Sequence, residues 1–174
     1  MDIIKDSIRS IPHWPIESVI FRDITTLLLN PDAFKEACDR LYAQYKDKNI
    51  DKVVSIDARG FIFGAVLAYK LGLGVALVRK KGKLPPETIE KEYSLEYGSN
   101  VLEISKHALS KGEKVVIVDD LLATGGTVAA SIELVEMLGG EVVECFFVVE
   151  LPDLHGREKL KGYNITALTS FEGE

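Results

Sequence analysis

Residues that build disulfide frameworks and transition-metal sites are scarce in this chain of 174 residues. Its two cysteines, Cys38 and Cys145, lie far apart in apolar stretches, so we expect reduced thiols in the core. The three histidines share no spacing typical of metal ligands. The composition therefore argues against a disulfide-stapled scaffold and against a transition metal held by the protein alone.

Long apolar runs and an excess of positive charge are also missing. No apolar stretch approaches the ~20 residues that a membrane-spanning helix needs. The start of the chain does not combine a basic flank, an apolar stretch and a cleavage site, so we expect a cytoplasmic protein. A formal net charge of -6 argues against general affinity for nucleic acid. We expect neither a membrane nor a nucleic acid as partner.

The sequence that remains is typical of one globular α/β domain spanning residues 1–174. Strand-like segments alternate with helical periodicity, which predicts a parallel sheet covered by helices. The predicted strands are residues 52–57, 75–78, 115–118, 142–149 and 165–168. Helices are predicted from Asn30-Pro31-Asp32 onward, from Phe61 to Leu71 and from Val128 to Leu138, with a short helical stretch around residues 156–161.

Residues 115–127, VVIVDDLLATGGT, have the order of a site for an anionic ligand. Asp119 and Asp120 end a buried strand, and the turn from Ala123 to Thr127 presents backbone N–H groups at the start of a helix, where a phosphate is favoured. There is no GxxxxGK[ST] pattern of a nucleotide-binding P-loop. Since carboxylates repel phosphate, they must face sugar hydroxyls or a magnesium ion. The alternative is an ordinary strand-turn-helix connection.

Two further charged segments are predicted at the same edge of the sheet. Asp57-Ala58-Arg59 follows the first strand and would open on the same crevice; alternatively, Arg59 pairs with Asp57. The run RKKGK at residues 79–83 could concentrate an anionic substrate in an otherwise acidic protein. Alternatively, it is a solvated charged surface.

Residues 80–100 show no regular periodicity and contain two prolines and many charges, which favours a functional loop. Its far end reads SLEYG, where the Glu96 carboxylate could manage a proton on a bound substrate. The alternative is the edge of a β-hairpin with alternating Leu95 and Tyr97.

Taken together, DDLLATGGT, RKKGKLP and SLEYG resemble the motifs of the type I phosphoribosyltransferases, in family order from about Ile11 to Leu168. DDLLATGGT is similar to the version in members that act on adenine. The resemblance implies a parallel-sheet type I phosphoribosyltransferase fold with flanking helices. It also implies a small N-terminal hood for base recognition over residues 1–30 and a mobile catalytic loop over residues 80–100.

The implied activity is that of a pentosyltransferase. Adenine and 5-phosphoribosyl 1-pyrophosphate (PRPP) would give AMP and pyrophosphate, a reaction of purine salvage. The implied cofactor is Mg²⁺, bound through PRPP and contacting Asp119 or Asp120 through water. The resemblance also suggests a homodimer.

The resemblance assigns roles residue by residue. Catalysis falls to Glu96, Asp119 and Arg59, and Tyr97 covers the reacting region. Ribose and the 5′-phosphate are assigned to Asp119, Asp120, Ala123, Thr124, Gly125, Gly126 and Thr127. Pyrophosphate is assigned to Asp57, Ala58, Arg59, Arg79, Lys80 and Lys83, with a cis peptide bond expected before Arg59 and Lys81 turned to solvent. Adenine is assigned to the backbone of Ile20 and Arg22 and the ring of Phe21, with Leu121 as the opposite wall.

Some features leave alternatives open. Family members commonly have a Pro-Gly pair where this chain has residues 15–18, PIES, and a proline where it has Thr26. Without the resemblance, Phe21 would be read as a core residue. The same chemistry could serve a 6-oxopurine, and a non-catalytic regulator could sense PRPP through the same turn.

Overall fold

The computed structural model describes residues 2–94 and 99–173. In this part the strands, in chain order, are β1 (Arg9–Pro12), β2 (Ile20–Asp23), β3 (Lys52–Ile56), β4 (Gly74–Lys80), β5 (Thr88–Ser94), β6 (Ser99–Ser105), β7 (Lys114–Leu122), β8 (Glu141–Glu150) and β9 (Ile165–Ser170). The helices are α1 (Ile3–Asp6), α2 (Thr25–Leu29), α3 (Pro31–Tyr45), α4 (Gly60–Leu71) and α5 (Gly126–Met137). Two 3-10 helices, Pro152–Leu154 and Gly156–Leu160, connect β8 to β9.

The main sheet has seven strands in the order β5-β6-β4-β3-β7-β8-β9. Strands β4, β3, β7, β8 and β9 run parallel, with β7 in the middle of these five, whereas β5 and β6 form an antiparallel hairpin on the edge of β4. The predicted parallel sheet with flanking helices is therefore confirmed. Each parallel strand was predicted at its observed place in the chain.

Helices cover both faces of the sheet, which explains why the central strands are apolar on both sides. On one face, Leu41 of α3 and Phe63 of α4 pack with Val116 of β7. On the other face, Ile132 of α5 packs with Ile117 of β7. Because β7 is buried on both faces of the sheet, the residues at its carboxyl end are held in a fixed position.

The helix ends follow the predicted signals. The Asn30 side chain accepts the N–H groups of Asp32 and Ala33, which caps the start of α3, and Pro31 follows it as the first helical residue. Helix α4 ends at Gly72 in the left-handed conformation. None of the helices in the described part is both long and apolar enough to cross a membrane.

The two cysteines are free and buried, as predicted. Burial raises the pKa of the Cys38 thiol to about 11 and that of the Cys145 thiol to about 12, so both stay protonated at neutral pH.

The N-terminal residues form a small layer beside the main sheet. Strands β1 and β2 pair antiparallel, with Ile11 opposite Phe21. Thr26, which stands where the family commonly has proline, joins this layer to α1: its hydroxyl donates to the Ser7 carbonyl and accepts the N–H of Arg9. This layer agrees with the predicted hood.

The prediction of an irregular loop over residues 80–100 is wrong over the part that forms strands, and the mobility expected of this segment stays a prediction. Strand β5 and the start of β6 fall inside that range, and their pairing runs to Ser94 opposite Ser99. Strand β5 was missed because its exposed residues are polar and charged and alternate with residues that are only half-buried. Such a strand at the edge of a sheet has a weak local pattern.

Candidate active site

The turn between β7 and α5 forms the centre of the site. It encloses a cavity of about 80 Å³. The lining residues are Asp119, Leu121, Leu122, Ala123, Thr124, Gly125, Gly126, Thr127 and Val128. Helix α5 starts at Gly126, so its unpaired N–H groups face this cavity, where an anion is favoured. The structure thus brings Asp119 together with the turn from Ala123 to Thr127, the phosphate turn. Both line this cavity, the phosphate cavity.

The phosphate turn is backed by a glycine 31 residues further along the chain than Gly125. Gly125 has a left-handed backbone (φ 78°), and a Cβ built on it would lie 2.5 Å from the Gly156 carbonyl oxygen. A Cβ on Gly156 would lie 2.2 Å from the Ala123 carbonyl oxygen. Since real contacts are never this short, a side chain at either position would displace the turn.

Asp119 and Asp120 occupy the end of β7 as predicted, but both are nearly buried, with 9% and 5% of their surface exposed. Asp119 Oδ1 accepts the N–H of Asp120 at 2.8 Å. Burial, together with the neighbouring charge of Asp120, raises the pKa of Asp119 well above its ordinary value. Asp119 faces the phosphate cavity, so hydroxyl donors from a ligand could relieve this penalty.

Arg59 pairs with Asp120 rather than with Asp57. Its Nε donates to Asp120 Oδ2 at 2.5 Å, whereas Asp57 accepts from Arg79 Nε at 2.8 Å. The alternative of an Arg59–Asp57 pair is therefore wrong. The cis peptide bond joins Asp57 to Ala58, one position earlier than expected. Helix α4 begins at Gly60, directly after Arg59. A Cβ on Gly60 would lie 2.9 Å from Asp119 Oδ1, so only glycine fits at this position.

The basic segment divides into residues with different surroundings. Lys80 and Lys83 have exposed side chains at the end of β4. Lys81 Nζ donates to Glu90 of β5 at 2.8 Å, and the Lys81 side chain is 61% exposed, as predicted for a lysine turned to solvent. The solvated-surface alternative holds for Lys81 and fails for Arg79, which binds Asp57.

A second cavity, of about 290 Å³, lies between the hood and the end of β7. It is lined by Ser18, Val19, Ile20, Phe21, Arg22, Arg59, Leu121, Ala123, Leu151 and Leu154. Phe21 and Leu121 therefore face the same cavity, the base slot, as the predicted binding of adenine between them requires. Because Phe21 lines this cavity and is half-buried, the alternative that it fills the core is wrong.

Phe21 also borders a third cavity, of about 370 Å³. Trp14 packs edge-on against the Phe21 ring, with the ring centroids 4.6 Å apart. Arg59 lines both this cavity and the base slot, and its guanidinium is bound to Asp120.

Glu96 and Tyr97 lie outside the described residues, so their predicted roles stay predictions. Strand β5, which precedes them in the chain, lies against the phosphate turn. The Thr127 hydroxyl lies 3.3 Å from the Tyr93 hydroxyl, and a Cβ on Gly126 would lie 3.4 Å from the Tyr93 ring.

Sequence reasoning missed several residues that line or support the site. Leu151 and Leu154 line the base slot, and Tyr93 contacts the phosphate turn. Glu103 accepts the backbone N–H of Lys83 in the turn after β4, the basic turn. A signal existed for Leu151 and Leu154, because they follow the carboxyl end of a predicted parallel strand.

Comparison with known proteins agrees with this geometry. The model of the phosphoribosyl transferase domain matches residues 25–171. The chain belongs to the phosphoribosyltransferase family. This phosphoribosyltransferase is 63% identical over 174 residues to the adenine phosphoribosyltransferase of Desulfosudis oleivorans, with both chains fully covered.

Solved structures of the family resemble the whole fold. The adenine phosphoribosyltransferase of Thermoanaerobacter pseudethanolicus is 51% identical, with a TM-score of 0.92 over 97% of this phosphoribosyltransferase and 98% of that chain. The enzyme of Saccharomyces cerevisiae, solved with an imino-altritol bisphosphate and adenine, is 41% identical, with a TM-score of 0.89 over 95% and 96% of the two chains.

Proposed function

We propose that this chain is an adenine phosphoribosyltransferase that forms AMP and pyrophosphate from adenine and PRPP. One observation carries the proposal: the phosphate cavity and the base slot share Leu121 and Ala123 as walls. A 5′-phosphate and a purine can therefore be held side by side with a ribose between them. The names of the similar proteins favour adenine over the 6-oxopurine and regulator alternatives.

In the reaction, the bond between C1′ and the pyrophosphate oxygen breaks and a bond from adenine N9 to C1′ forms. The leaving oxygen takes the electron pair, and N9 gives up its proton. We assign that proton to the Glu96 carboxylate, with Tyr97 covering the reacting centre. Asp119 and Asp120 would accept hydrogen bonds from the ribose hydroxyls and offset the positive charge that develops on the sugar.

Charges at the sheet edge suit the departing pyrophosphate. Arg59 reaches the base slot from the Asp57-Ala58-Arg59 turn, and Lys80 and Lys83 are exposed on the neighbouring turn. Holding the two reactants in line would supply a large share of the rate enhancement.

Adenine recognition is assigned to the main chain of β2. A backbone C=O and N–H at Ile20 and Arg22 can match the N6 donor and N1 acceptor of adenine, and the same pair would oppose a 6-oxo purine. Phe21 would stack on the base, with Leu121 on the opposite wall.

Magnesium is proposed to arrive with PRPP. Among the described residues, no group of three or more His, Cys, Asp or Glu side chains is placed to hold a metal ion. Asp119 and Asp120 are adjacent carboxylates beside the phosphate cavity, which fits an ion bound mainly by the substrate and reached by a carboxylate through water. When bound, the ion would neutralise charge on the leaving pyrophosphate.

The test is to mix the protein with adenine, PRPP and magnesium and to measure AMP. We expect AMP formation well above that of an Asp119→Asn/Asp120→Asn control, and no comparable product from hypoxanthine, guanine or xanthine. AMP no higher than in the control would contradict the activity. A faster reaction with a 6-oxopurine would replace the substrate assignment.

A proton-transfer role for Glu96 has its own test. Glu96→Gln should lower turnover by about 100-fold or more while changing the affinity for PRPP little, because the amide cannot accept the proton. Comparable losses in turnover and PRPP affinity would refute the role.

We also propose a homodimer and a cytoplasmic location. The dimer is supported by exposed apolar residues on one side of the sheet: Ile62 and Tyr69 of α4 and Val75 and Leu77 of β4. Light scattering after gel filtration should give twice the chain mass. Tyr69→Glu should yield monomers, whereas Met137→Glu, an exposed site on α5, should not. A wild-type monomer would contradict the assembly.

A further inference from the structure

Glu103 of β6 is a buried carboxylate that the proposed reaction does not use. It is 3% exposed. Its Oε1 accepts the backbone N–H groups of Lys83 and Leu84, both at 2.8 Å, and its Oε2 accepts the Thr88 hydroxyl at 3.2 Å. A carboxylate removed from water is tolerated when such donors replace the water. Its binding partners therefore explain how Glu103 can be buried.

The segment that Glu103 holds is the basic turn after β4. Arg79 holds the same turn from its carbonyl side, since its Nη1 donates to the Lys83 carbonyl at 3.1 Å. The Nε of Arg79 donates to Asp57 at 2.8 Å. Hydrogen bonds thus run from Asp57 through Arg79 and the Lys83 main chain to Glu103. The two turns assigned to pyrophosphate are joined in one network.

We propose that Glu103 is a positioning residue of the pyrophosphate site, an inference that rests on the proposed function. Lysine ammonium groups are point charges on flexible chains, so their useful location depends on where the main chain holds them. The Glu103 carboxylate fixes the main chain at Lys83, and with it the turn that carries Lys80. Arg79 acts in the same network as a link between the two turns.

The decisive measurement uses the reverse reaction, in which AMP and magnesium pyrophosphate are the substrates. Glu103→Leu removes the acceptors and should raise the KM for pyrophosphate about tenfold, and Glu103→Gln, which keeps a neutral acceptor, about threefold. The KM for AMP should change less than about twofold in both, because the phosphate turn and the base slot do not contact Glu103. Should the leucine variant fail to fold, the glutamine variant decides alone.

Glu144 offers a matched control. It is a buried glutamate of β8, 5% exposed, with donors from Lys48, Gln44 and Thr166. Glu144→Gln should lower the melting temperature and leave both KM values unchanged. This control separates a general loss of stability from a local effect on the pyrophosphate site.

Two results would overturn the positioning role. One is an unchanged KM for pyrophosphate in the Glu103 variants, and the other is an equal rise in the KM for AMP. If the wild type makes no AMP in the forward assay, the proposed function fails. Calorimetry with magnesium pyrophosphate then tests Glu103 separately: wild-type binding weakened in the variants supports the role, and equal or absent binding overturns it.

Discussion

Both ends of the parallel sheet bury carboxylates, but they balance them differently. Near the amino end, Glu144 is surrounded by donors from Lys48, Gln44 and Thr166, and Lys52 there pairs with Glu113 at 3.0 Å. At the carboxyl end, Arg59 pairs with Asp120, but burial and the neighbouring charge of Asp120 raise the pKa of Asp119. The amino end satisfies its charges within the protein, and the carboxyl end leaves charge for a ligand to stabilise.

This difference separates stability from function in one sheet. A buried carboxylate with a raised pKa costs free energy of folding at neutral pH. Functional sites commonly carry such costs because the same group stabilises a ligand or transition state. The following substitutions test whether the two ends differ in this way.

The largest expected effect is on catalysis at the carboxyl end. Asp119→Asn should lower kcat/KM for PRPP by about 100-fold, because it removes the negative charge next to the developing cation. Steady-state kinetics with PRPP varied at saturating adenine would measure this. A loss below about threefold would remove Asp119 from the site.

At the amino end, Glu144→Gln should lower the free energy of unfolding by about 1–2 kcal/mol, since a charge-assisted hydrogen bond to Lys48 is lost. Activity at 25 °C should not change. Urea denaturation measures the first effect and the AMP assay the second. Loss of activity in a folded variant would mean that the amino end also serves the reaction.

The third prediction concerns pH. The folded pKa of Asp119 is raised, so the folded state holds the proton more tightly than the unfolded chain. Stability contributed by this group should therefore fall as pH rises above about 4, the ordinary aspartate value. Asp119→Asn should be more stable than the wild type at pH 7, with a smaller gain at pH 5. Urea midpoints at both pH values, compared between the two proteins, give the result. A variant less stable at pH 7 would show that the charge is already balanced.

The smallest effect is expected at Tyr93, where the hairpin meets the phosphate turn. Tyr93→Phe removes the hydroxyl next to Thr127 and should raise the KM for PRPP about threefold, the size of one weak neutral hydrogen bond. The KM for adenine should stay constant. A change in the adenine KM alone would place the effect outside the phosphate site.

Much of the fold could be predicted from the sequence because strong local patterns coincide with it. The apolar run before Asp119 marks a strand buried on both faces, and Asn30-Pro31 marks a helix start. The strands of the hairpin at residues 88–105 could not be predicted with the same ease. The polar residues of β5 alternate with half-buried ones on the outermost strand of the sheet, where packing selects the strand and the local pattern is weak.

The site could be predicted in its parts and less well in its pairings. The two turns at the carboxyl ends of the strands follow from strand order, and Leu121 opposite Phe21 follows from the resemblance to the family. The choice of Asp120 as the partner of Arg59 does not, because several carboxylates compete and three-dimensional distance decides. Glu103 was missed because two of its three donors are backbone N–H groups, which carry no signature in the side-chain sequence.

The contact between Gly125 and Gly156 has a consequence for transplanting this chemistry. The conformation of the thirteen-residue signature from Val115 to Thr127 depends on a residue outside it, since Gly156, which follows β8, packs against Gly125. A designer who grafts the signature onto another scaffold must also bring a bare backbone to stand behind it. Without it, the grafted sequence would adopt a different backbone conformation.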